Sequence, residues 1–396
     1  MHVLHLITAL NVGGAETMLA KLLEQERASE IGITSSVLSL MPPGPAGGRI
    51  QRAGVPIATA GLRGLGSLPG AVQRLSSTVR SLRPDIIVAW MYHAHLAAAL
   101  AQVVRPRTPV IWNVRHSVQD IREEKRSSQA ILKGCARLSR MPAAIIYNSH
   151  VAADQYRALG YSSERAVVIP NGFECDVFRP DPSARGRILN AFGLADGKFL
   201  VGMVARAHPM KDPANLVRAV RHASVSCEDM HLLIIGAGMD RPNPELRQLI
   251  DTLPPGSVTL SGHRPDIADL LPGLDVLAMP SAWGEGFPNI VGEAMSSGVP
   301  CAVTDVGDSR WIVGDTGITV PPRDPLALGE GLRRLAALPS DERRQLGQAA
   351  RARILNCFSL PEVTAQYHLL FEAVREGRRS HGGSNKHMPA RPVSTT

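Results

Sequence analysis

Leu200-Val201-Gly202-Met203-Val204-Ala205-Arg206-Ala207-His208-Pro209-Met210-Lys211-Asp212-Pro213 decides how the chain divides. Leu200–Ala205 is apolar throughout, as expected of a strand buried on both faces of a parallel sheet. A short loop with two cations leaves its end, and Pro213–Ala223 follows as a helix. Further along come strand His231–Ile235, helix Pro244–Thr252, strand Val258–Leu260 and helix Ile267–Leu271. Strand Val276–Met279, helix Asn289–Ser297 and strand Pro300–Thr304 complete the series. Strands alternating with helices call for crossover connections and a mostly parallel sheet.

Before this stretch lies turn-rich, polar Phe178-Arg179-Pro180-Asp181-Pro182, inside a linker expected near Glu174–Asp196. An earlier β-α series precedes the linker. Its strands are Val3–Ile7, Ser35–Leu40, Val55–Ala60, Ile86–Trp90, Val110–Val114, Ala143–Tyr147 and Val167–Pro170. Pro42 to Gly48 reads as a loop and Val72–Ser81 as a helix. The sequence therefore predicts an α/β protein with two doubly wound, Rossmann-like domains. The expected boundaries are 1–178 and 190–360, with a last helix over 361–376. Residues 377–396 lack apolar periodicity and are expected to be disordered.

Bulk properties agree. A chain of 396 residues exceeds one ordinary core. Aromatics are only 4% of it, which suits close helix–strand packing better than a β-sandwich. The five cysteines are far apart and show no C-x-x-C spacing, so neither a disulfide framework nor a zinc site is indicated. The start reads as a first strand rather than a secretory signal. The most apolar run, 86–104, is interrupted by Tyr92, His93, His95 and Gln102 and is too broken for a span. The net charge is +8, and cations are densest at 105–140. Two readings of that stretch stand level: a solvated helix face, or a surface resting on anionic lipid. Nucleic acid ranks lower, because no aromatics interleave with the charges.

Three strand-end segments carry candidate chemistry. Asn11-Val12-Gly13-Gly14-Ala15-Glu16 opens a helix, and its glycines offer positive φ and close approach of an anion to free N–H groups. Arg206 and Lys211 supply two cations from one short loop, as a diphosphate requires. Ser281-Ala282-Trp283-Gly284-Glu285-Gly286-Phe287-Pro288-Asn289-Ile290-Val291-Gly292-Glu293 runs from a strand end into a helix. Glu285 can meet sugar hydroxyls there, Glu293 can accept both hydroxyls of a ribose, and the N–H groups of Phe287–Ile290 suit a phosphate. In the first half, His93 and His116 each follow a strand, where acid/base or sugar-binding roles fit. Ile235-Gly236-Ala237-Gly238-Met239-Asp240-Arg241 only imitates a dinucleotide fingerprint, because Arg241 stands at the third glycine.

Taken in order, these segments resemble the family-4 retaining glycosyltransferases, which have the GT-B fold. Gly-Gly-Ala-Glu at 13–16 resembles the family's N-terminal loop. Val168-Ile169-Pro170-Asn171-Gly172-Phe173 resembles its interdomain segment. Arg206 and Lys211 match its phosphate-binding pair, and Glu285 and Glu293 its paired glutamates. Ala352-Arg353 through Phe358-Ser359-Leu360 resembles its C-terminal end, where a last helix returns to the first domain. Asp212 departs from the pattern, because the family commonly has Gly there.

The resemblance implies two domains facing a central cleft, an N-terminal acceptor domain and a C-terminal donor domain. It implies transfer of a sugar from a nucleoside-diphosphate sugar, with retention, no cofactor and no metal. Arg206 and Lys211 would neutralise the leaving diphosphate, aided by Gly13 and Gly14. Gly286, Phe287, Pro288, Asn289, Ile290 and Glu293 would hold the donor, and Glu285 and His116 would act near the reacting carbon. His93 and Asn171 would contact sugar or acceptor. A lipid-linked glycan acceptor in bacterial polysaccharide biosynthesis, at the cytoplasmic membrane face, is the expected setting. Two other readings stay open: a non-catalytic sugar-nucleotide-binding or docking partner, and a sugar-nucleotide epimerase. Donor base, donor sugar and linkage are not readable from the residues.

Overall fold

The computed structural model describes residues 1–11, 13–29 and 32–377, so most of the tail expected to be disordered lies outside the described residues. The chain divides into two units. Among the described residues, one comprises Met1–Gly172 with the chain from Leu360 to Gly377, and the other Phe173–Ser359.

The first unit is built on β1 (His2–Ile7), β2 (Thr34–Ser39), β3 (Ile57–Thr59), β4 (Ile86–Trp90), β5 (Val110–Val114), β6 (Ala144–Tyr147) and β7 (Ala166–Val168). They form one parallel sheet in the order β3-β2-β1-β4-β5-β6-β7. The strand order reverses between β1 and β4, and ligands bind at the carboxyl ends of strands beside such a reversal. Central strands β4 and β5 are buried along their whole length: β4 is apolar throughout, and the one polar residue of β5, Asn113, donates from its side chain to the Tyr367 hydroxyl at 2.9 Å.

The helix Leu360–Arg375 packs on the helix Gly14–Ala28, so the end of the described chain belongs to this first unit. Val363, Tyr367, Leu370, Phe371 and Val374 recur at helical spacing and lie in one core with Met18, Leu22 and Leu23. A buried polar chain crosses the same core. Trp90 Nε1 donates to His5 Nδ1 at 3.1 Å. The proton of His5 therefore sits on Nε2, which faces Ser35 Oγ at 3.4 Å. Ser35 donates to Glu26 at 2.7 Å, and Glu26 meets His368 at 3.3 Å.

The second unit carries β8 (Phe199–Val204), β9 (Met230–Ile235), β10 (Val258–Ser261), β11 (Val276–Met279), β12 (Cys301–Thr304) and β13 (Ile318–Val320). All pair in parallel, in the order β10-β9-β8-β11-β12-β13. Here the order reverses between β8 and β11. Asp275, just before β11, accepts from Arg185 at 2.8 Å, from Arg343 at 3.1 Å and from the Leu200 N–H at 2.8 Å. One carboxylate thus ties the starts of both central strands together.

Two loop readings are corrected. Pro45–Arg52 is a helix, not a continuation of the Pro42–Gly48 loop: Pro45 occupies its first turn, where a missing N–H costs nothing. Within the linker, Ala184–Phe192 is also helical, because buried Ala184 and Ile188 supply an apolar face. All five cysteines are free thiols. Among the described residues, no helix is long and apolar enough to cross a membrane.

Candidate functional site

In the second unit, two loops leave the carboxyl ends of adjacent strands β8 and β11. A backbone bond joins them, from Ala282 N–H to Met210 C=O at 2.8 Å. Lys211 Nζ lies 2.5 Å from Glu285 Oε1, and Ser281 Oγ donates to the same oxygen at 2.6 Å. The lysine side chain is only 17% exposed and the glutamate 9%, so the pair is shielded from bulk water. Arg206 leaves the end of β8 exposed. The proposed diphosphate cation and the proposed sugar carboxylate thus share one spot at the strand-order reversal.

Asp212 supplies the turn that aims Lys211. Its backbone is left-handed, at φ 44 and ψ 55. That conformation costs an ordinary residue about 1–2 kcal/mol, which is why Gly suits it. Asp212 offsets the cost by accepting from the Asn215 N–H at 3.1 Å, capping the helix Pro213–Ser224.

Beyond Glu285, the Gly286 carbonyl accepts from the Asp308 N–H at 2.8 Å. The Phe287 ring is 6% exposed and packs among Phe173, Trp311 and Phe358 at 5.7–5.9 Å. Only its backbone is thus left to meet a ligand. Pro288, Asn289 and Ile290 form the mouth of the helix Asn289–Ser296, and no side chain caps its N-terminus. Glu293 is the fifth residue of that helix and is half-buried. Gly236 is required for a structural reason: at φ 152, a Cβ there would stand 1.8 Å from the Ala205 carbonyl oxygen. The glycines after β9 therefore let their loop pack against the Arg206 loop. No helix opens until Pro244, contrary to a dinucleotide fingerprint.

In the first unit, the loops after β1 and β4 flank the other reversal. The glycine reading needs correction. Gly13 has φ −165, an extended value any residue adopts, and neither Gly13 nor Gly14 has positive φ. The helix begins at Gly14, so Gly13 is merely its N-cap and need not turn the chain. What remains is space: a Cβ on Gly14 would meet nothing within 4 Å, and no side chain caps the N–H groups.

Met91, after β4, does carry a positive φ of 72, rare for a bulky residue. It turns the chain into the helix Tyr92–Val104, with His93 in the first turn and its ring 4.5 Å from Tyr92. Burial lowers the His93 pKa. His95 is part of the core, stacked on Trp112 at 4.7 Å, with its pKa lowered to about 3 by burial. His116, after β5, pairs with Glu124 at 3.4 Å and lies 6.4 Å edge-on to Tyr92. Asn171 precedes Gly172, the last residue before the second unit.

Sequence reasoning assigned no role to Ser281, although it stands four residues before Glu285 in the same segment. Arg115 lies within the basic stretch 105–140 but does not join a surface with its other cations. Arg115 is covered: its guanidinium lies 5.6 Å over Trp90 and donates to the Ile169 carbonyl at 3.3 Å. Alternation along a strand end carries it inward, which a charge count does not register. Among the described residues, no three His, Cys, Asp or Glu side chains are placed to hold a metal ion.

Residues 12–177 match the family model described as Glycosyltransferase Family 4, and residues 198–337 that described as Glycosyl transferases group 1. A D-inositol 3-phosphate glycosyltransferase of Xylanimonas cellulosilytica is 32% identical over 213 residues, 51% of this chain and 49% of that protein. The Escherichia coli UDP-Gal:alpha-D-GlcNAc-diphosphoundecaprenol alpha-1,3-galactosyltransferase is 30% identical over 148 residues, 37% of this chain and 38% of that one. The chain thus spans about half or less of the length of these curated relatives. Among solved structures, Anabaena HepE in complex with UDP aligns over 94% of this chain and 100% of its own, with a TM-score of 0.80 and 22% identity. That likeness is one of fold.

Proposed function

The chain belongs to the family-4 glycosyltransferases of the GT-B fold, and from that premise we propose that it transfers a sugar from a nucleoside-diphosphate sugar to an acceptor hydroxyl, with retention at the anomeric carbon. The observation that carries this reading is the meeting of Lys211, Glu285 and Ser281 at the strand-order reversal of the second sheet. Charge develops on the diphosphate as the glycosidic bond breaks, and preorganised cations stabilise it most where water is excluded. Arg206 and Lys211 supply those cations, so the reaction proceeds without a metal. Glu285 holds donor sugar hydroxyls beside the reacting carbon, and Glu293 holds the ribose. His116 receives a sugar hydroxyl in the first unit.

HepE has been solved with UDP and with UDP-glucose, which supports a nucleoside-diphosphate sugar as donor. The name of the Escherichia coli relative supports a lipid-linked diphosphate acceptor. A membrane-facing surface is supported by the helix Arg126–Leu138, where Arg126, Lys133 and Arg137 form one exposed stripe. Nothing favours nucleic acid as a partner. The setting that follows is polysaccharide assembly at the inner face of the cytoplasmic membrane.

The test is donor binding and slow donor hydrolysis across UDP-, GDP-, ADP- and dTDP-sugars with EDTA present. Lys211→Ala and Glu293→Ala run alongside, and the anomer of the first product is read by NMR. One donor bound tightly and lost by both variants supports the reading. Binding of none would leave a shared fold without the activity. An inverted product would remove retention alone.

A further inference from the structure

We propose that Glu124 is a positioning residue for His116: its carboxylate holds the Nε2–H and thereby turns the Nδ1 lone pair toward the sugar hydroxyl. The inference deepens the role given to His116 above and rests on it. Glu124 Oε1 stands 3.4 Å from His116 Nε2. An ionised carboxylate only accepts, so the imidazole proton belongs on Nε2. Nδ1 of the neutral ring is then an acceptor. It is buried and has no hydrogen-bond partner among the described residues. An unpaired buried acceptor is costly, and a hydroxyl brought by a substrate would satisfy it.

Glu124 is held for this task. Its side chain is only 23% exposed. Its N–H donates to the Ile121 carbonyl at 3.2 Å, and its carbonyl accepts from Gln129 Nε2 at 2.8 Å. Upstream, the Val118 N–H is bonded to Gln155 Oε1 at 2.9 Å, and Asp120 caps the 3-10 turn through the Arg122 N–H at 2.8 Å. Arg122 is engaged by both oxygens of Asp120 and does not compete for Glu124. Arg115 lies the other way, over Trp90.

Two more titratable groups, Tyr92 and Tyr156, face the pair, and His93 packs on Tyr92. Tyr92 and His93 come from the helix Tyr92–Val104, and Tyr156 from the helix His150–Ala158. Burial raises the Tyr156 pKa, with Glu124 among the contributing charges, and burial lowers that of His93.

Two readouts decide the matter. Two-bond 1H–15N spectra of the full-length protein, labelled at histidine and assigned with His116→Gln, report which ring nitrogen carries the proton. A protonated Nε2 and bare Nδ1 are expected, with mixed tautomers in Glu124→Ala; an Nδ1–H ring in the wild type overturns the proposal. The second readout is hydrolysis of UDP-glucose and GDP-mannose. Glu124→Ala should lower kcat by roughly ten- to a hundredfold, the scale of a misplaced catalytic contact. Glu124→Gln, which keeps an accepting oxygen, should recover part of the rate. Adding Glu124→Ala to His116→Ala should cost nothing further, whereas a purely structural glutamate would add its own loss. Full activity in Glu124→Ala beside a crippled His116→Ala overturns the proposal. Full activity in His116→Ala overturns instead the role of His116, and the spectra still decide the pairing.

Discussion

Lys211 and Glu285 hold each other across 74 residues of sequence, with Nζ 2.5 Å from Oε1. Each therefore serves as the other's counter-ion in the absence of substrate. Losing one partner of a shielded pair strands the other charge, which costs up to about 3 kcal/mol. Lys211→Met should lower stability more than the double variant Lys211→Met/Glu285→Gln, by urea denaturation. Donor binding should not recover in the double variant. Strictly additive losses of stability would show that the two groups do not depend on one another.

Asp212 gives a separate test of the same loop. Asp212→Gly relieves the left-handed backbone but removes the cap on the Asn215 N–H, and the two effects offset each other. Stability should change by less than about 1 kcal/mol. Asp212→Ala loses the cap and keeps the strain, so it should cost about 1–2 kcal/mol. Equal losses in the two variants would mean that the left-handed backbone holds no strain for glycine to relieve.

Gly14 separates space from folding. A Cβ there meets nothing within 4 Å, so Gly14→Ala should leave thermal stability unchanged or slightly raised. If an anion approaches this helix mouth, donor affinity should still fall. Unchanged affinity in isothermal titration would limit Gly14 to starting the helix.

Strands β4, β5 and β11 have the limits their runs predict, because each is buried throughout and bounded at both ends by an apolar residue. The helix at Pro45 was hidden, since its proline and two glycines are the residues that otherwise signal a loop. Arg206, Lys211, Glu285 and Glu293 were legible from their places at strand ends and helix mouths. The glycines at 13 and 14 were legible as a site but not in cause: an extended N-cap and a left-handed turn read alike in sequence. The bond between Lys211 and Glu285 depends on which strands are neighbours, and one chain's pattern does not carry that. Glu124 was submerged in a basic stretch whose net charge concealed its single contact with His116.

The exposed stripe of Arg126, Lys133 and Arg137 predicts charge-driven membrane contact. A basic residue near an anionic surface contributes about 1 kcal/mol. Replacing all three with Ala should weaken binding to phosphatidylglycerol vesicles by roughly a hundredfold. Salt should release the unaltered protein. Equal sedimentation with anionic and neutral vesicles would reduce the stripe to a solvated face.

His5 and His95 make stability depend on pH. Burial lowers the first to about 4 and the second to about 3, from an ordinary 6.5. The unfolded chain takes up protons on both below about pH 6.5, while the folded chain keeps both rings neutral down to those lower values. Acid therefore favours the unfolded state, and the stability present above pH 6.5 is lost as the pH falls. Each histidine should contribute a slope of about 1.4 kcal/mol per pH unit across that window. Between pH 6.5 and 5, carboxylates titrate little, so the histidines dominate. His5→Asn removes one titrating group. It also breaks the bond from Trp90, so its absolute stability should be lower. Its stability should nevertheless fall less steeply with acid than that of the wild type, by about one proton's worth, in urea denaturation at pH 7, 6 and 5. Parallel slopes for the two proteins would mean that His5 becomes charged within the folded core.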